Sequence, residues 1–166
     1  MTGRAIALVC LLALPSGLAA QPSEEPRPAG LEGLSAVYVM VDPLDDVRED
    51  GLAEASVRKM VEDLLAATEL RILTQEDLLE NAGAETSMHV SIKTSVTSDV
   101  NRLYMVELGL RQPVSLARSP GTTFVATTWQ ASDFGITPRK DLMALNSDIR
   151  DLASRFLADF RMANPK

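Results

Sequence analysis

Ten consecutive residues, Ser87 to Val96, alternate without a break: Met88, Val90, Ile92, Thr94 and Val96 on one side, Ser87, His89, Ser91, Lys93 and Ser95 on the other. A period of two is the repeat of an extended strand, and it commits this segment to a sheet with one buried face and one wet face. Such a sheet needs a layer of helices on one side only. The rest of the chain has to supply that layer and the remaining strands.

Leu34–Val41 is different in kind, a near-continuous apolar and β-branched run ended by Asp42-Pro43, as expected of an interior strand covered on both sides. After the polar stretch Asp42–Gly51, apolar residues recur at Ala53, Val57, Met60, Val61, Leu64 and Leu65, with Glu54, Arg58, Lys59, Glu62 and Asp63 opposite them. That spacing predicts a helix lying on the sheet. Leu70–Thr74 reads as a short strand. Thr74-Gln75-Glu76-Asp77 then has the form of a capping box opening a brief helical turn, which stops at Asn81-Ala82-Gly83. Strand, helix and strand together form a parallel crossover unit.

Beyond the alternating strand, Ser98–Asn101 makes a turn and Leu103–Arg111 returns with Tyr104, Val106, Leu108 and Leu110 inward. Pro113 cannot donate to a ladder and implies a bulge or an edge. Ser119-Pro120-Gly121-Thr122 suits a type II turn, and Thr123–Ala131 is the last strand, carrying the lone Trp129. Leu142, Leu145, Ile149, Leu152, Ala153, Phe156, Leu157 and Phe160 fall on one helical stripe, the strongest helix signal in the chain, opened either by Pro138 in its first turn with Thr137 as cap or by a restart at Asn146-Ser147 after a short irregular piece. The expected fold class is α+β, a two-layer sandwich. A mixed five-stranded sheet, built from a βαβ unit and a three-stranded meander, carries both long helices on one face. The expected members of the other face are Ser87, His89, Ser91, Lys93, Met105, Glu107, Arg111, Thr128 and Gln130, mostly hydrophilic, so that face can meet solvent.

Residues 1–20 hold Arg4, an apolar run from Ala5 to Leu14, and small residues around Gly17-Leu18-Ala19-Ala20, the layout of a cleaved secretory signal peptide. The run is too short for a permanent span, and cleavage after Ala19 or after Ala20 fits equally. The single cysteine, Cys10, lies inside this run rather than at a lipidation site, so the exported domain is cysteine-free and depends on its apolar core. Residues 21–33, with three prolines and no apolar period, read as a disordered linker; 34–162 form the domain and 163–166 a frayed end. The expected location is the periplasm or the exterior. A length of 166 residues leaves room for one core, and a net charge of −7 with pI near 4.7 is opposite to the basic footprint a nucleic-acid partner needs.

The order of elements, with the pieces LSAVYVMV, VEDLLAATELRILTQEDL, MHVSIKTSV, YMVELGLRQPVSLAR, ATTWQ and DIRDLASRFLADF, resembles uncharacterised exported bacterial proteins of the same layout. More distantly, it is similar to the N-terminal domain of TolB and to small envelope lipoproteins. The resemblance covers residues 34–162 and implies a non-catalytic envelope module that docks onto protein partners. It carries over no functional residue.

Three local features bear on chemistry. Asp42, Asp45, Asp46, Glu49 and Asp50 crowd the loop after the first strand, but a cation at Arg48 and Val57 in place of the bidentate Glu break the EF-hand spacing. An acidic loop beside a helix N-terminus accounts for them, with Ca²⁺ response as the alternative use. That loop leaves a strand's carboxyl end but has no glycine-rich cradle, which disfavours nucleotides. His89 is the only histidine; a small exported hydrolase using it would need a serine on a tight turn and an acid behind the ring, and no such motif is present. Trp129 is the aromatic with a claim to a binding surface. The reading is therefore an exported, non-enzymatic module without cofactor or metal. It binds an envelope protein through its open face or by strand addition beside Pro113 or the short second strand, with His89, Lys93, Arg111 and Trp129 as candidate interaction residues.

Overall fold

The computed structural model describes residues 28–44, 52–80, 86–141 and 143–165. The proposed signal peptide, the linker up to residue 27, the helix stop at 81–83 and Leu142 lie outside them, as do Asp45, Asp46, Glu49 and Asp50. Five strands, β1 (Ala36–Val41), β2 (Arg71–Ile72), β3 (Ser87–Val96), β4 (Asn101–Leu116) and β5 (Ser119–Pro138), form one mixed sheet in the order β2-β1-β3-β4-β5. β1 is parallel to both β2 and β3, and β3, β4 and β5 run antiparallel in sequence. Three helices accompany the sheet: α1 (Glu54–Leu65), α2 (Gln75–Glu80) and α3 (Met143–Ala163). Among the described residues, no helix is long and apolar enough to cross a membrane.

The two strand patterns fold as their periods dictate. Met88, Val90 and Ile92 of β3 are buried with Val37, Val39 and Val41 of β1 and Val106, Leu108 and Leu110 of β4. Against this face pack Val57, Val61 and Leu65 of α1 and the α3 stripe Leu145, Ile149, Leu152, Ala153, Phe156, Leu157 and Phe160, so both long helices share one core. Burying a side chain of this size contributes about 1.5–3 kcal/mol, which is how a domain without disulfides holds together. On the other side of β1, Tyr38 is covered by the Arg58 guanidinium 5.6 Å from its ring centre, while Met40 is more than a third exposed. The capping box forms: Asp77 Oδ2 accepts from the Thr74 amide and hydroxyl, each at 2.7 Å, and Thr74 Oγ1 accepts from the Asp77 amide at 3.2 Å.

Four expectations are corrected. The last strand does not end at Ala131; β4 registers with it through Arg102↔Thr137 and Asn101↔Pro138, so these residues continue the sheet and do not open the helix. Thr137 Oγ1 instead donates to the Asp141 carbonyl at 2.6 Å. The hairpin reverses at Ala117-Arg118, and Pro120-Gly121 fall in an irregular stretch of β5 where the register shifts. Pro113, by contrast, meets its expectation of a bulge or an edge: it sits past the last β3 partner of β4, Arg111, where no β3 carbonyl asks for its missing N–H, and a bulge lies just before it at Leu110/Arg111.

Finally, the domain begins before Leu34 and continues past Met162. A 3-10 turn at Ala29–Leu31 inserts Leu31 fully into the core. Gly30 lies so close to β5 that a Cβ there would sit 2.8 Å from the Thr128 carbonyl oxygen, and its own carbonyl accepts from Gln112 Nε2 at 2.6 Å. Asn164, expected to fray, donates to the carbonyls of Leu31 and Phe160 at 2.9 Å each and accepts from the Gly33 amide at 2.8 Å. One side chain thus ends α3 and clamps the entering chain.

Candidate functional site

The sheet face away from the helices is read directly from the register. Across β3, β4 and β5 it presents four rows: Ser95, Leu103, Ile136; Lys93, Met105, Phe134; Ser91, Glu107, Ser132; and His89, Gly109, Gln130. Met40 of β1 continues the last row, and Arg111 lies beyond it opposite Ser87. The first two rows are apolar toward the β5 edge. Phe134 is 78% exposed, Ile136 67% and Leu103 41%. Cross-strand pairs on one face lie near enough to form one surface, so these residues with Met105 make a contiguous apolar patch. Lys93 flanks it on β3 and Glu107 on β4.

This patch departs from the hydrophilic face expected from the sequence. Thr128 is an extra residue in β5 at the bulge, which resets the alternation so that Trp129, Ala131, Asp133, Gly135 and Thr137 face the helices while Gln130, Ser132, Phe134 and Ile136 face out. Phe134 and Ile136 become placeable only once β5 is known to reach Pro138.

Of the candidate residues, Lys93 and Arg111 are exposed on this face and His89 is half-buried between them. His89 Nδ1 stands 3.9 Å from Asp42 Oδ1, beyond hydrogen-bonding reach. Burial lowers the imidazole pKa below its ordinary value, the Arg111 charge lowers it further, and Asp42 opposes both. A triad needs the ring held by a carboxylate and facing a nucleophile, and here the acid is too distant to orient it. Trp129 is not a surface anchor. It is buried edge-on to Phe156 with ring centres 5.1 Å apart, and Nε1 donates to Asp159 Oδ2 at 2.8 Å. An indole N–H in a core needs such a partner, and α3 supplies it. Among the described residues no cluster of His, Cys, Asp or Glu could hold a metal ion.

Concave surface lies elsewhere. A groove of about 620 Å³ on the helix layer is lined by Ala55, Lys59, Met60, Asp63, Leu64 and Arg150, none of them on the open sheet face. It gathers no set of convergent catalytic groups: Lys59 is already paired to Asp63 at 2.9 Å, an exposed i,i+4 contact.

No protein-family model and no curated protein sequence matches the chain. Among solved structures, it is similar to the PelC dodecamer from Paraburkholderia phytofirmans, at 14% identity over 77% of this chain and 87% of that one, with a TM-score of 0.41. It is also similar to the hypothetical protein CT253 from Chlamydia trachomatis, at 10% identity over 80% and 99%, TM-score 0.41. A minor lipoprotein from Acinetobacter baumannii gives 8% identity over 80% and 92%, TM-score 0.39. These are likenesses of broad layout, at identities far below those at which a function is shared.

Proposed function

We propose that the chain is a non-catalytic binding module of the bacterial envelope, exported by its N-terminal segment, that docks a protein partner on the open face of its sheet. The observation that carries this reading is the patch of Leu103, Met105, Phe134 and Ile136. Four large apolar side chains, one of them an aromatic ring 78% exposed, stand together on a rigid antiparallel sheet. Exposed apolar side chains scattered singly are ordinary, whereas a contiguous patch rimmed by polar residues is a mark of an interaction site. Lys93, Glu107 and the more distant Arg111 supply the polar rim, which sets orientation more than affinity. The resemblance to envelope lipoproteins and to the N-terminal domain of TolB rests on element order and agrees with a docking role.

The test is crosslinking in the intact envelope followed by capture of the chain, comparing wild type with Met105→Glu, Lys93→Glu and Arg111→Glu. A discrete partner lost with Met105→Glu and weakened by the two charge reversals is the expected result. A partner indifferent to all three places the interface elsewhere and overturns the reading. His89, two rows away from the apolar patch, lies outside the contact, so His89→Gln should leave capture of the partner intact.

A further inference from the structure

β5 is an edge strand of an unusual kind. It runs for twenty residues, and no strand among the described residues pairs with its outer side. Long edges are normally protected from pairing by charged side chains, proline or bulges. β5 carries one bulge, at Thr128, but has its prolines only near its two ends, Pro120 and Pro138, and a single charged residue, Asp133, in a chain that is 23% charged. Even that charge is turned away, since Asp133 faces the helix layer and stands 3.7 Å from Arg155 of α3. In a protein of net charge −7, whose copies repel one another, this neutral strip is the place where two copies can approach.

We infer that β5 pairs antiparallel with β5 of a second copy, joining two five-stranded sheets across a two-fold axis. Three observations select a second copy as the occupant. The strand is polar in its middle, at Gln130 and Ser132, and apolar toward both ends, with Val125 53% exposed on one side and Phe134 and Ile136 on the other. An antiparallel two-fold sets the Val125 end of each copy beside the Phe134–Ile136 end of its partner, so the edge is its own complement. The opposite edge of the sheet, β2, is two residues long and cannot template further addition, which closes the assembly at two. The size also fits. A twenty-residue strand is about 65 Å long and a sheet about 10 Å deep, a strip of about 650 Å², close to the roughly 800 Å² each partner contributes to a standard interface. The pairing uses the main-chain edge of the sheet and shares Phe134 and Ile136 with the proposed docking patch, so Met105→Glu, which lies off the edge, should leave the dimer intact and separates the two readings.

The experiment is light scattering on the chain expressed from its complete reading frame and purified as the cell processes it, over a wide concentration range. The expected result is a doubled mass at high concentration. Because the copies are both acidic, raising the ionic strength from about 0.01 M to about 0.15 M, which shortens the Debye length from about 30 to about 8 Å, should strengthen the dimer. Ser132→Glu, at an exposed edge position, should return the mass to that of one chain, and Gln130→Glu, which stands opposite Gly109 and not opposite Glu107, should do so with the same melting temperature. As a second measurement, Gln130→Cys in a Cys10→Ser background should crosslink to itself across the axis on oxidation. A single-chain mass at every concentration and salt, or a dimer that Ser132→Glu leaves intact, overturns the inference.

Discussion

Gly135 and Tyr104 face each other across β5 and β4, and the fit leaves no space for a side chain: a Cβ on Gly135 would lie 2.6 Å from the phenolic oxygen and 2.8 Å from Cζ. The ring cannot retreat, because its hydroxyl donates to Asp148 Oδ2 of α3 at 2.7 Å. Burial first, then the bond to Asp148 and the charges of Asp148 and Asp133, together raise the phenol pKa to about 12. Gly135→Ala is therefore an overpacking substitution, expected to cost about 1–3 kcal/mol in thermal or denaturant unfolding. His89 makes a prediction of different form. Its folded pKa is lowered from 6.5, so the unfolded chain takes up the proton first as the medium turns acidic. The stability it contributes is complete above pH 6.5 and is lost as pH falls through the folded value. His89→Gln should flatten that part of the stability–pH curve. Trp129 shows why a single residue misleads in the sequence: a lone indole near a strand end suits a surface anchor and a core plug alike, and only Phe156 and Asp159, far along the chain, decide between them.

At the scale of elements, legibility followed length. α1 and the visible part of α3 carry several turns of apolar stripe, and β3 ten residues of alternation, so their periods stand out from the sequence. The 3-10 turn at Ala29–Leu31 has only three residues and one leucine, too few to show a period, and three prolines nearby read as a linker. Its place is fixed by tertiary contacts, Leu31 in the core and Asn164 across its carbonyl. Leu31→Ala should cost about 2–5 kcal/mol, as for other fully buried leucines, where a linker residue would cost nothing measurable. Asn164→Ala, which breaks the clamp but opens no cavity, should cost about 1 kcal/mol. The far half of β5 was missed for a related reason. Asp133, Gly135 and Pro138 are poor strand formers, yet the long β4 register holds them in the ladder.

At the scale of the molecule, two long helices cover one side of a five-stranded sheet, and among the described residues the other side is open, with polar rows in its middle and apolar rows at one end. The openness of that face was legible in the alternation of Ser87–Val96. Its apolar end was not, because the sequence pattern ends β5 at Ala131; Phe134 and Ile136 lie in phase with Gln130, but they join the face only when the strand runs on to Pro138. Site-specific photo-crosslinking reports directly on binding through this end. A photoreactive residue is placed at Met105 on the open face or at Lys59 on the exposed helix layer, in cells making the chain at its ordinary level. A partner docked on the patch gives one discrete adduct from Met105, of a mass other than twice the chain, absent from Lys59 and abolished by Leu103→Glu. No adduct from Met105, or the same adduct from both positions, would contradict such docking.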